Sequence, residues 1–231
     1  MSTQPHRTLM VPGPAGRLET ILWSTLDSDG KESPPPLAAL VCHPHPLFGG
    51  TMHNKVVYQT AKTIHGFGLP VARFNFRGVG LSEGVHDKGI GEEGDVTAVL
   101  DFLAGEYPEV PLLLAGFSFG SWVGLRVGCG DPRVTELLGL GLPVGNFDIR
   151  SFAYLDHCAK PKLLVSGEFD QFGPPHLLRK MVEEFPAEVL ANTRMAIVRG
   201  GDHFFAGHLP ELDATIAEWL QERHPGIIAK Q

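Results

Sequence analysis

Six short apolar runs separated by turns and helix-period segments set the main constraint on this chain. Leu37–Cys42, Leu69–Phe76, Val110–Ala115, Val134–Leu142, Lys162–Ser166 and Arg194–Val198 read as strands, and the interior ones are continuously apolar. A strand wetted on one face alternates apolar and polar residues, whereas a strand covered on both faces need not. Between the runs, Val96, Val99, Leu100 and Leu103 recur at i, i+3, i+4 and i+7, and Leu212, Ile216, Trp219 and Leu220 follow a similar pattern. That spacing is the stripe of a helix packed on a core. Strand–helix repetition of this kind predicts an α/β fold, a parallel sheet with helices on both faces.

Ahead of that repetition, Thr8–Val11 and Leu18–Ser24 flank Pro12-Gly13-Pro14-Ala15-Gly16 and predict an antiparallel hairpin. Asp27–Pro36 is polar, ends in three prolines and reads as an exposed connection. Gly78–Gly94 reads as a long Gly-rich loop leading into a helix that begins near Asp95. No repeat or linker interrupts the pattern, so residues 1–231 are expected to form one domain.

Composition narrows the function classes. The formal net charge is -7, and Lys and Arg are scattered. Phosphate affinity depends on clustered cations, so nucleic acid is not an expected partner. Cys42, Cys129 and Cys158 lie far apart and form no C-x-x-C pair, which fits reduced thiols and a cytoplasmic location. The first residues lack the apolar core of a signal peptide, and no apolar run approaches the ~20 residues that span a bilayer. A soluble protein without a membrane partner is expected, its oligomeric state open.

The pattern G-x-S-x-G occurs twice, around Ser118 and around Ser82, so context must choose. A serine nucleophile of this type needs a strand, a sharp turn and a helix, which lift its oxygen above the sheet. Pro111–Ala115 supplies a strand before Ser118, and Ser121–Val127 a buried helix after it. Ser82 also follows a strand, but Val85–Gly89 is no helix start. Ser118 is therefore the candidate nucleophile.

A base and an orienting acid are then expected just past the ends of later strands. Asp170 follows the strand ending at Ser166, with Glu168 as its rival, and His203 follows the strand ending at Val198. Asp202, next to His203, is expected to point elsewhere, and His208 to cap the last helix. Stabilising an oxyanion needs two backbone donors. The N–H of Phe119 is one candidate, and the other should come from His43-Pro44-His45-Pro46-Leu47-Phe48-Gly49-Gly50. Pro44 and Pro46 have no N–H. Leu47 comes first among the rest, with His45 and Phe48 behind it.

Two other signals are read as structural. His43 and His45, with His53 nearby, suggest a metal, but interleaved prolines make a stiff loop that does not turn both rings to one ion. Gly89–Gly94 matches G-x-G-x-x-G, yet it does not directly follow a strand, and Glu92, Glu93 and Asp95 would repel a pyrophosphate. Neither a metal nor a cofactor is expected.

The run at Ser118, Gly167-Glu168-Phe169-Asp170 and Gly201-Asp202-His203-Phe204-Phe205 resemble the α/β-hydrolase superfamily. Within it, His43–Lys55 and Phe74–Ser82 resemble a group of small bacterial serine hydrolases with a His-Pro-His-Pro-x-x-Gly-Gly loop. The resemblance covers about residues 16–223. It implies an eight-stranded, mostly parallel sheet with the second strand antiparallel. Asn75 stands where many members carry Asp, and Arg77 reads as a loop brace.

Members often insert a helical cap before the acid, but only about 28 residues separate Leu142 from Asp170, including a helix-like stretch near Ile149–Ala159. Little or no cap is expected, over an open site lined by Leu47, Phe48, Phe117, Phe119, Phe172, Phe204 or Phe205. The expected activity is hydrolysis of a small carboxylic ester through an acyl-enzyme, without cofactor. A thioesterase or peptidase using the same three residues, and a non-catalytic binding module, are the alternatives.

Overall fold

The computed structural model describes residues 6–25 and 34–227. Most of the Asp27–Pro36 connection and the first five residues lie outside that set. The strands are β1 (His6–Gly13), β2 (Gly16–Trp23), β3 (Ala38–Cys42), β4 (Val71–Phe74), β5 (Leu112–Phe117), β6 (Val134–Leu140), β7 (Lys162–Gly167) and β8 (Thr193–Val198). They form one sheet in the order β1-β2-β4-β3-β5-β6-β7-β8. β2 pairs antiparallel with both β1 and β4, and every later pairing is parallel. Sheet, hairpin and flanking helices are those of the α/β-hydrolase fold.

Each interior strand divides its apolar residues between two cores, because side chains alternate across a sheet. In β3, Leu40 joins the core under α2 (Ile90–Glu106) and α3 (Phe119–Gly130). Its neighbours Ala39 and Val41 join the core under α1 (Lys55–Gly66) and α6 (Leu209–Arg223). This two-sided burial explains the uninterrupted apolar runs. The helical stripes fall as expected: Val96, Val99, Leu100 and Leu103 are buried in α2, and Leu212, Ile216, Trp219 and Leu220 in α6. Two further helices, α4 (Pro175–Glu183) and α5 (Ala187–Ala191), precede β8. No helix among the described residues is long and apolar enough to cross a membrane.

α2 starts at Ile90, five residues before the expected Asp95. Gly89 takes the left-handed conformation (φ 91°) at its N-cap. The Glu92 carboxylate accepts the N–H groups of Gly89 and Asp87, both at 2.8 Å. The G-x-G-x-x-G string is thus a helix start closed by its own acid, with the Glu92 carboxylate where an anion would sit. Arg77 does brace the preceding loop: its backbone N–H, Nε and Nη2 all donate to the buried Asp95 carboxylate, Nη2 at 2.7 Å. Between β6 and β7 the chain makes only a 3-10 helix at Ile149–His157, whose Phe152 and Leu155 are buried in the core under α3. No cap stands over the carboxyl edge of the sheet there.

Candidate active site

β5 ends directly beneath Ser118, and α3 begins directly after it. Ser118 holds φ 54° and ψ -119°, a positive φ that side chains other than glycine rarely adopt. Its neighbours make the turn possible. A Cβ on Gly116 would lie 2.3 Å from the Gly120 carbonyl oxygen, and one on Gly120 would lie 2.4 Å from that of His43. The turn is tied by the Ser118 N–H to Leu140 O at 2.8 Å, and Ser118 O accepts from Ser121 N–H and Oγ.

His203 lies on the loop after β8, with Nε2 2.9 Å from Ser118 Oγ and Nδ1 2.9 Å from both Asp170 oxygens. A carboxylate only accepts, so Nδ1 carries the proton and Nε2 is left to accept from the serine hydroxyl. Asp170 is fixed in turn by the N–H groups of Phe172 (2.9 Å) and Gly173 (2.7 Å). Both His203 and Asp170 are buried. The structure therefore brings Ser118, Asp170 and His203 into one hydrogen-bonded chain.

Their rivals are occupied elsewhere. Ser82 Oγ donates to Asn75 O at 2.6 Å and accepts from the Glu19 N–H, a structural pairing away from the site. Glu168 accepts from the Gly200 N–H and Asp202 from the N–H groups of Phe204 and Ala206; His208 stands at the N-cap position of α6, but its side chain makes no capping bond there and lies 3.8 Å from Glu211.

The loop after β3 corrects one expectation. Leu47 N–H donates to the His45 ring Nδ1 at 3.2 Å, and Leu47 is 68 % exposed. It does not line the cavity and is not free to bind an oxyanion. Phe48 N–H and Gly50 N–H both donate to His45 O at 3.1 Å. Among the described residues the His45 N–H has no acceptor, and neither has the Phe119 N–H at the start of α3. The rest of the loop is held by His43, whose Nε2 accepts from Phe76 N–H at 3.0 Å while Nδ1 donates to Pro44 O at 2.6 Å. Both of its ring nitrogens are committed to backbone, and burial holds its pKa down to about 3.

Ser118 and His203 open onto a cavity of about 330 Å³. Phe48, Phe119, Phe172 and Phe204 lie on its wall. Phe117 does not: at the end of β5 its side chain falls on the α1/α6 side of the sheet, fully buried beneath His203, ring centroids 5.1 Å apart. Phe205 is buried on the same side. The sequence reading passed over Asn54, Pro143, Asn146 and Phe147, which also line the cavity. The last three follow the carboxyl end of β6, and the strand-end rule that found Asp170 and His203 would have pointed to them.

A family model described as "Alpha/beta hydrolase domain" matches residues 40–224. The uncharacterized protein RP471 of Rickettsia prowazekii is 34 % identical over 210 residues, covering 90 % of this chain and 86 % of that protein. An alpha-beta serine hydrolase homologue from Coxiella burnetii superposes with a TM-score of 0.83 at 34 % identity, covering 95 % of this chain and 100 % of that one. XC6422 from Xanthomonas campestris, described as an a/b serine hydrolase without lid, gives a TM-score of 0.82 at 30 % identity, covering 96 % of each chain.

Proposed function

This chain belongs to the alpha/beta hydrolase domain family, and from that premise we propose that it is a serine hydrolase cleaving a small carboxylic ester. Ser118 Oγ attacks the ester carbonyl carbon as its proton passes to His203 Nε2. The imidazolium so formed faces the Asp170 carboxylate, which stabilises it and keeps the ring in the productive tautomer. The C–O bond then breaks, the proton goes from Nε2 to the departing alkoxide, and the alcohol leaves an acyl-Ser118. Water, deprotonated by the same nitrogen, attacks the acyl carbon. Collapse releases the acid and returns the proton to Ser118.

In both tetrahedral intermediates the negative oxygen is stabilised by the backbone N–H groups of Phe119 and His45. Their lack of an internal acceptor supports that role, because it leaves both donors available to an oxyanion, and the Phe119 N–H stands at the start of α3 where the helix offers it no partner. The 3-10 turn at Pro46–Phe48 folds back onto His45 O, which keeps the chain in that conformation. The relatives from Coxiella burnetii, described as a serine hydrolase homologue, and Xanthomonas campestris, described as a serine hydrolase, lend further support. We also assign the chain to the small bacterial hydrolases carrying the His-Pro-His-Pro-x-x-Gly-Gly loop, on the residues His43–Gly50.

The observation that carries the proposal is the chain of 2.9 Å contacts from Ser118 Oγ through His203 to Asp170. A fluorophosphonate probe tests it without knowledge of the substrate. The label should map to Ser118, vanish in Ser118→Ala and weaken by orders of magnitude in His203→Ala. A folded wild-type protein that takes no label would refute the proposal.

A further inference from the structure

The chemistry of ester cleavage assigns parts of the cavity lining to parts of the substrate. Phe172 and Phe204 pack edge-on against His203, with centroids at 4.7 and 5.2 Å. His203 hands its proton to the leaving oxygen, so the alcohol departs along that wall. The carbonyl oxygen is held at the backbone of His45 and Phe119. The acyl chain is left with the remaining lining, which includes Phe48, Pro143, Asn146 and Phe147.

That remaining lining is aromatic and uncharged. Phe48 packs on the His45 ring at 4.7 Å and is 86 % exposed, an apolar ring standing at the mouth that an occupant would cover. Phe147 lies stacked on Trp122 at 4.5 Å and 19° between planes, which fixes the orientation of its ring. Among the described residues, no Lys, Arg, Asp or Glu lines the cavity; the polar side chains apart from Ser118 and the two histidines are the neutral amides of Asn54 and Asn146. A carboxylate or phosphate on the acyl chain would lose water and meet no counter-charge. A flat ring, by contrast, gains about two- to tenfold from edge and offset contacts beyond what the same apolar area gives.

We propose that the ester taken by this site is uncharged and carries an aryl ring on its acyl chain, held between Phe48 and Phe147. This specificity rests on the ester-hydrolase reading above and refines it. The test holds the alcohol constant as methanol, leaving the Phe172–Phe204 wall unengaged, and varies the acid. The esters are methyl phenylacetate, methyl cyclohexylacetate, methyl hexanoate and the anionic monomethyl succinate.

In the wild type, kcat/KM for the phenyl ester should exceed that for the cyclohexyl ester about fivefold, with hexanoate lower still and the anionic ester about a hundredfold below the phenyl ester. In Phe48→Leu the phenyl-to-cyclohexyl ratio should fall toward one, as it should in Phe147→Leu. Because Phe48 is so exposed, its replacement does not threaten folding. A wild-type ratio at or below one, or a ratio untouched by both substitutions, would overturn the proposal. So would efficient cleavage of the anionic ester. Fluorophosphonate labelling of the same preparations separates the two levels. Label on Ser118 without aryl preference defeats this proposal alone, whereas no label and no cleavage defeat the hydrolase reading together with it.

Discussion

His43 is a buried base that the folded protein keeps neutral. One ring nitrogen accepts from Phe76 N–H and the other donates to Pro44 O, so an added proton would destroy the first bond and place a charge out of water. Its pKa falls to about 3 from an ordinary 6.5, chiefly through burial. Above pH 6.5 neither folded nor unfolded chains protonate it, and stability does not depend on it. As pH falls from 6.5 toward 3, the unfolded chain takes a proton that the folded chain refuses, costing about 1.4 kcal/mol per pH unit. Between pH 6.5 and 4.5 this single group should remove about 2–3 kcal/mol. Urea unfolding at both values checks it: His43→Gln should lose that much less than the wild type over the interval, and parallel losses would sink the idea. The His-Pro-His-Pro string singled out this histidine as structural, since two prolines keep the rings from converging on an ion. Which loop N–H is left over could not be read there, because Leu47 N–H is taken by the side chain of a residue only two positions away.

At the scale of elements, the misplaced start of α2 shows what periodicity leaves out. Val96, Val99, Leu100 and Leu103 mark where the helix packs, but its first turn is set by a glycine N-cap and the Glu92 carboxylate, which leave no apolar trace. The next turn of α2 is anchored to the exit of β4 by Arg77 and Asp95. Burial pushes the Asp95 carboxyl up while Arg77 pulls it down, and burial wins. For Arg77 the bond to Asp95 outweighs burial and its pKa goes up; a buried pair of this kind adds little beyond what apolar residues of similar size would, yet losing one member leaves a buried group unmatched. Asp95→Asn should cost about 3 kcal/mol, read as a lower urea midpoint at unchanged slope. The double replacement Arg77→Met with Asp95→Leu should recover most of it. An Asp95→Asn protein as stable as the wild type would show that α2 is held by its apolar stripe alone.

Across the whole molecule, the candidate site draws on strands that periodicity identifies one by one but does not order. Double-sided burial makes β3, β5, β6 and β7 legible; the context of the G-x-S-x-G pattern then points to Ser118, and the strand-end rule to Asp170 and His203. The sheet order, with β4 between β2 and β3, was not legible, since hydrophobic pattern says which faces are covered and not which strands are neighbours, and the family resemblance implied only the strand number and the antiparallel second strand. Side-chain direction at a strand end was equally hidden: Phe117 and Phe119 flank the same serine and both are buried, yet only Phe119 reaches the cavity.

That arrangement has a consequence for unfolding. Ser118 and His203 are 85 residues apart and meet only because β5, β6, β7 and β8 are paired in register, with both cores pressed on the same strands. The site thus has no separate scaffold that could loosen while the sheet stays intact. Competence for fluorophosphonate labelling and the circular-dichroism signal of the sheet should therefore be lost at one urea midpoint, as in a two-state transition. Labelling lost well before the sheet signal would instead mean that the loops carrying Asp170 and His203 open as a weaker unit of their own. Contacts between Asp170 and the backbone of Phe172 and Gly173 would then have to be weaker than their 2.9 and 2.7 Å lengths imply.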